Sequence, residues 1–136
     1  MIILPKPTNV ILLEDNIYKA MDIKSALRFC GINDRDVIWE KYQDVGFERI
    51  QEYARQNTPI QLIITDMHYP LRAGAESDWE AGFKLLKRLK QEELDVPVII
   101  CSTGNFESVA SEVLGTVYYN PNRDLNWDLK EILEKL

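Results

Sequence analysis

The chain is short of the residues that pin small extracellular folds together. Histidine occurs once, at His68, and cysteine twice, at Cys30 and Cys101, with no CxxC pair in 136 residues. Neither a disulfide framework nor a zinc site is indicated. This cysteine usage fits a reducing, intracellular setting, and a cytoplasmic location is the expectation. Positive charge is also in deficit. Sixteen Lys and Arg against 22 Asp and Glu leave a formal charge of −6, which repels a phosphate backbone, and no local basic patch offsets it. Direct binding of nucleic acid is therefore not expected. Long apolar runs are missing as well. The opening Met1 to Pro7 carries an apolar triplet without a basic stretch before it, and no run approaches the ~18 residues of a membrane span, so neither targeting nor insertion is expected. No glycine-rich loop follows the first apolar run, and neither GxGxxG nor GxxxxGK occurs, which removes two nucleotide-binding fingerprints.

What is present is ordinary globular material, 46% hydrophobic and 28% charged, in a length close to the roughly 150 residues of one domain. A single domain over residues 1–136, with no output module, is expected. Five short apolar runs alternate with segments of helical period, the pattern of a doubly wound parallel α/β sheet. Val10 to Leu13 is continuously apolar, as a strand covered on both faces should be. A first helix follows, with Ile17, Ala20, Met21, Lys24 and Leu27 as one helical stripe interrupted only by the polar Lys24, and Gly31 as a left-handed stop. Val37 to Trp39 reads as a second strand. A helix from about Val45 to Gln56 comes next, carried by Phe47, Ile50 and Ala54. Leu62 to Thr65 is the central strand, and Gly82, Leu85, Leu86 and Leu89 mark a third helix. Val96 to Cys101 and Thr116 to Tyr119 are the fourth and fifth strands, with only a short or irregular helix between them. The last helix carries Leu125, Leu129, Ile132, Leu133 and Leu136, capped by Asp124 or Asn126.

In an open parallel sheet, ligands bind beyond the carboxyl ends of the strands, so the residues that follow each strand carry the chemistry. Here they are Glu14 and Asp15, then Asp66, then Ser102 and Thr103, then Asn120. Three carboxylates crowded together repel one another unless a hard divalent cation neutralises them. Mg²⁺ is the natural candidate, since it takes a few carboxylate or carbonyl oxygens and completes its shell with water or phosphate. Taken alone, Asp15 also reads as an ordinary N-cap of the first helix.

The order of these residues resembles the receiver domain of bacterial response regulators over nearly the whole chain. The matching motifs are Leu12-Leu13-Glu14-Asp15-Asn16, Leu62-Ile63-Ile64-Thr65-Asp66 with Pro70 four residues on, Gly82-Phe83-Lys84-Leu85-Leu86-Lys87, and Pro97-Val98-Ile99-Ile100-Cys101-Ser102. The resemblance implies a flavodoxin-like fold with strand order 2-1-3-4-5. It implies that Asp66 accepts a phosphoryl group from a histidine kinase, a phosphotransfer protein or a small donor such as acetyl phosphate. It further implies that Glu14, Asp15, Asp66 and the backbone carbonyl of His68 hold Mg²⁺, and that Ser102 turns to bond the phosphoryl oxygen. Such a domain is a phosphoacceptor rather than an enzyme with turnover. Its signal passes to a downstream protein through surface contacts or through a homodimer.

Several residues depart from that pattern. The fifth strand should end in Lys-Pro and ends instead in Asn120-Pro121, so the expected cation is missing, and Arg123 or Arg72 are the candidates to replace it. An insertion of roughly eight residues falls between Leu71 and Trp79, either a lid or partner contact anchored by Trp79 or a disordered surface loop. Val117 occupies the usual place of a switch aromatic, beside Tyr118 and Tyr119. His68 should point to solvent beside the phosphorylation site, and Cys101 should be a small core residue. A second reading is a degenerate receiver that signals through its surfaces without phosphorylation. A haloacid-dehalogenase-like hydrolase is a third reading and a poor one, because His68 stands where that family needs a second aspartate. The phosphoacceptor reading requires the three acids to meet in one pocket and share a magnesium ion; scattered side chains, or a buried cation such as arginine filling the pocket in the ion's place, would leave only the fold.

Overall fold

A computed structural model describes residues 6–136; the apolar triplet of the opening stretch lies outside the described residues. Eleven regular elements follow in order: β1 (Val10–Leu13), α1 (Ile17–Phe29), β2 (Val37–Glu40), α2 (Gln43–Arg55), β3 (Leu62–Thr65), β4 (Tyr69–Pro70), β5 (Ser77–Asp78), α3 (Ala81–Gln91), β6 (Val98–Ser102), β7 (Gly115–Tyr118) and α4 (Leu125–Leu133). Strands β2-β1-β3-β6-β7 form one parallel sheet in that order. Numbered over those five alone, this is the expected 2-1-3-4-5. Among the described residues no helix is long and apolar enough to cross a membrane.

The alternation of side chains along a strand sorts the core into two layers. Val10 and Leu12 of β1 pack with Ala20, Ile23 and Leu27 of α1 and with Leu129 and Leu133 of α4. Ile11 and Leu13 face the other way, onto Phe47 and Ile50 of α2 and Leu85 and Leu89 of α3. Every residue of β1 and β3 is buried. That explains why both strands read as unbroken apolar runs rather than as alternating patterns.

The stripe expected on α1 is out of phase. Ile17 and Met21 are exposed, while the buried face runs through Lys19, Ala20, Ile23, Ala26 and Leu27. The helix is turned so that Ala20, Ile23, Ala26 and Leu27 pack on the sheet, and Ile17 and Met21 are left in solvent. Gly31 does adopt the left-handed conformation, at φ 91°, just past the helix end. Asn16, not Asp15, caps α1: its side chain accepts the Lys19 N–H at 3.0 Å. In α2 the burial rests on Phe47 and Ile50, and Ala54 is exposed. Gly115 begins β7; a Cβ there would lie 2.7 Å from two side-chain carbons of Ile132, so α4 is able to press on the sheet only where that side chain is absent. Between β6 and β7 stands a single 3₁₀ stretch, Glu107–Glu112, the irregular helix expected. Asp124 caps α4 through the Trp127 N–H at 3.1 Å, and Leu136 is exposed beyond the helix end. The inserted loop is an ordered two-stranded antiparallel hairpin of β4 and β5, not a structureless tract.

Candidate functional site

Strand register assembles the site. Leu13 of β1 pairs with Thr65 of β3, and Thr65 pairs with Ile100 of β6. The next residue on each strand, Glu14, Asp66 and Cys101, therefore emerges at one level along the carboxyl edge of the sheet. Backbone bonds fasten the exits: the Asp66 N–H donates to the Leu13 carbonyl at 3.0 Å and the Glu14 N–H to the Glu40 carbonyl at 3.2 Å. Oxygens of Glu14, Asp15 and Asp66 lie within 4.8 Å of one another, with Glu14 buried, Asp66 half-buried and Asp15 exposed. The three acids singled out in the sequence thus meet.

A fourth group stands among them that the sequence did not suggest. The ammonium of Lys19, in the first turn of α1, lies 2.7 Å from Oε1 of Glu14 and 3.2 Å from Oδ1 of Asp66. It also donates to the Cys101 carbonyl at 2.7 Å and stands 5.5 Å above the centre of the Tyr119 ring. Lys19 thus spans the three strand exits that register places side by side. A lysine at this position is doubly disfavoured, by burial and by the positive end of the helix dipole. Two carboxylates and a carbonyl oxygen are what hold it there. Burial opposes the charge of Lys19, yet Asp66 and Glu14 outweigh it and keep the ammonium's pKa above the usual lysine value. Burial pushes the Glu14 carboxyl up to about 7 against the pull of Lys19, with Asp66 adding to the rise. The firm charge of the pair is therefore the ammonium.

The neighbours of Asp66 are fixed in turn. Its Oδ1 accepts the Met67 N–H at 2.7 Å. Beneath it, the buried Tyr69 hydroxyl meets Thr65 Oγ1 at 2.9 Å and Gln43 Nε2 at 3.1 Å, and Gln43 also donates to the Ala81 carbonyl at 2.6 Å. Gly82 lets α3 approach closely, since a Cβ there would lie 3.0 Å from Met67 Sδ and 3.1 Å from the Asp66 carbonyl oxygen. On the other flank the Trp39 indole donates to the Glu14 carbonyl at 2.7 Å.

The remaining sequence candidates are placed less centrally. Ser102 is buried at the end of β6, where its hydroxyl accepts the Gly104 N–H at 3.2 Å. The Asn120 side-chain oxygen accepts the Asn122 N–H at 2.8 Å and closes its own turn. Arg123 is paired with Asp128 at 2.7 Å, and Arg72 is exposed in the hairpin turn, so the cation among the acids is neither of them. His68 does not stand free in solvent. Its Nδ1 meets the Trp79 carbonyl at 2.7 Å, and its ring packs edge-on to Trp79 at 4.7 Å and Phe106 at 5.9 Å. Trp79 itself is 76% exposed. Cys30 and Cys101 are buried free thiols, and burial pushes the Cys101 thiol up to about 12. Tyr119 donates its hydroxyl to Asp22 of α1, while Val117 is buried and Tyr118 exposed.

The residues fit a hard cation. All the side-chain donors are carboxylate oxygens, as Mg²⁺ prefers. Ionised, the acids carry −3 against +1 from Lys19, leaving −2 to be neutralised. Oε1 of Glu14 is buried without a well-aligned hydrogen bond despite the nearby ammonium, and such an oxygen is costly unless further charge reaches it.

No protein-family model and no curated protein matches the sequence. Solved structures match in fold. A response regulator from Thermotoga maritima is 20% identical with a TM-score of 0.64, covering 96% of this chain and 97% of its own. The Mn²⁺-bound form of the response regulator Rcp1 is 20% identical with a TM-score of 0.63 over 93% of this chain and 91% of its own. A sensor protein from Polaromonas sp. JS666 is 18% identical with a TM-score of 0.66 over 96% and 95%. The chain has the fold of response regulator receiver domains.

Proposed function

We propose that this chain is a receiver domain of two-component signalling that accepts a phosphoryl group on Asp66 with the help of Mg²⁺. The observation that carries the proposal is the convergence of Glu14, Asp15 and Asp66 within 4.8 Å at the carboxyl edge of the sheet. These three side chains, with the backbone carbonyl of His68, would hold the ion. When bound, Mg²⁺ spreads the charge that develops on the transferring oxygens. The Mn²⁺ of the Rcp1 structure supports a divalent ion in this fold.

The chain's own residues do the rest. With Oδ1 of Asp66 held by the Met67 N–H and Lys19, Oδ2 is the oxygen left to attack phosphorus. The bond from phosphorus to the donor breaks, and the donor leaves with its electron pair. A histidine kinase or phosphotransfer protein is the donor in the cell. Ser102 turns to donate its O–H to a phosphoryl oxygen, which draws its oxygen away from the Gly104 N–H it accepts, so occupancy of Asp66 is felt in the turn that leads to the 3₁₀ stretch. A downstream protein, or a second copy of the chain, reads that surface. Asn120, tied into its own turn, has at most a secondary part.

Two observations favour a second reading, a degenerate receiver that signals by contact alone: Lys19 already neutralises part of the acid pocket, and the strand-end lysine is replaced by Asn120. Intact mass after incubation with acetyl phosphate and Mg²⁺ separates the two. A single phosphoryl adduct in the wild type that is lost in Asp66→Asn supports phosphoacceptance. Mg²⁺ binding with no adduct supports the degenerate form. Repeated turnover of phosphomonoesters would contradict both.

A further inference from the structure

We propose that the Lys19 ammonium is the cation that receives the phosphoryl group on Asp66, so that this charge is supplied from α1 and not from the end of β7. The inference rests on the phosphoacceptor reading and adds to it a residue that the sequence pattern does not assign.

Lys19 is the charged side chain in contact with Oδ1 of Asp66, at 3.2 Å, and it is almost wholly buried there. Its remaining contacts, Glu14 Oε1 and the Cys101 carbonyl, each at 2.7 Å, aim the ammonium along the edge of the sheet instead of outward. The alternatives are placed elsewhere: Arg123 is engaged on Asp128, Arg88 on Asp44 and Lys84 on Asp78, and Arg72 is exposed in the hairpin turn. Asn120 spends its side-chain oxygen on Asn122 and has no charge to offer.

Charge gives the reason. A carboxylate oxygen of Asp66 attacks acetyl phosphate, the phosphorus–oxygen bond to acetate breaks, and acetate departs with the electron pair. Acetyl phosphate and the acyl phosphate product each carry the phosphoryl dianion, so the pocket gains two negative charges at Asp66 in place of one. Among the described side chains Lys19 is already within hydrogen-bond reach of the reacting residue. It has three N–H donors, so it can take a phosphoryl oxygen while keeping the Cys101 carbonyl. A charge-assisted hydrogen bond made in the transition state and absent beforehand accelerates the step.

The test compares wild type with Lys19→Met, reading the rate of adduct formation with acetyl phosphate by intact mass and the Mg²⁺ affinity by calorimetry. Loss of the bond should slow Lys19→Met by about 30-fold, with Mg²⁺ binding unweakened because one positive charge has left the pocket. A rate within twofold of wild type would overturn the inference. So would a parallel loss of rate and Mg²⁺ affinity, which marks a merely structural role. Should Lys19→Met not fold, the wild type still decides. The Lys19 Nζ resonance, assigned by selective labelling, should shift when beryllofluoride is added with Mg²⁺, and an unmoved signal with beryllofluoride bound refutes the assignment. A wild type that neither forms the adduct nor binds beryllofluoride overturns the phosphoacceptor reading itself and this inference with it.

Discussion

Removing either partner of the buried Lys19–Glu14 pair should cost stability, and the two removals should differ. In Lys19→Met the 1%-exposed Glu14 carboxyl faces Asp66 with no cation between them. Stripping one partner from a buried ion pair typically costs about 3–5 kcal/mol. In Glu14→Gln the ammonium keeps Asp66 at 3.2 Å and the Cys101 carbonyl at 2.7 Å, so the expected cost is about 1–2 kcal/mol, that of one lost contact between charged groups. The double variant should recover most of the loss, because neither charge is then stranded. The cost of Lys19→Met should also depend on pH. Burial already pushes the Glu14 carboxyl up to about 7, and without the lysine it rises further. The folded protein then binds this proton more tightly than the unfolded chain does, so the variant loses stability as pH rises through and above 7 and regains it below. Urea denaturation of the four proteins at pH 6 and pH 8 measures all of this. A Lys19→Met cost below about 1 kcal/mol, or one smaller than that of Glu14→Gln, would show that the ammonium does not hold the acids together.

Other outcomes follow from the same contacts. Glu14 has to lose its proton to ligate a metal, and with its carboxyl near 7 the Mg²⁺ affinity should fall as pH drops from 8 to 6, by up to about tenfold per unit below 7; calorimetry at several pH values checks this. Gly46→Ala in α2 would ordinarily stabilise a helix, but its Cβ would fall 2.2 Å from Leu13 Cδ2, so a loss of about 1–3 kcal/mol is expected in urea melts. The Cys101 thiol, pushed up to about 12 by burial, should resist iodoacetamide at pH 8 in the folded protein and react after denaturation.

Much of the fold was legible because its signals are local and strong. β1 and β3 are buried on both faces, and an unbroken apolar run is what that environment selects. Gly31 and Asp124 mark helix ends by backbone and capping chemistry that acts within a few residues. The gathering of Glu14, Asp15 and Asp66 was legible because strand ends in a parallel sheet share an edge. Lys19 was not, because the apolar Ile17 and Met21 point to a stripe on α1 one step out of phase with the buried one. Following Ala20, Ile23, Ala26 and Leu27 instead of Met21 and Lys24 places Lys19 on the sheet-facing side, and a lysine there signals a carboxylate partner. The phase is ambiguous in the sequence since Ile17 and Met21 are apolar yet exposed, and tertiary packing decides between the two stripes. The hairpin of β4 and β5 is illegible in the sequence for a different reason. Its strands are two residues long, and the residue that anchors it, the buried Tyr69, acts through Thr65 and Gln43, contacts that no periodicity reports.

A crystal structure grown with Mg²⁺ and beryllofluoride tests the central claim most directly. The expected result is one ion held by Glu14, Asp15 and Asp66, with beryllofluoride on Asp66 and the Lys19 ammonium against a fluoride. Lys19 still lodged between Glu14 and Asp66, with neither ion nor beryllofluoride beside them, would contradict the phosphoacceptor function and leave a receiver fold whose acid pocket is closed by its own lysine.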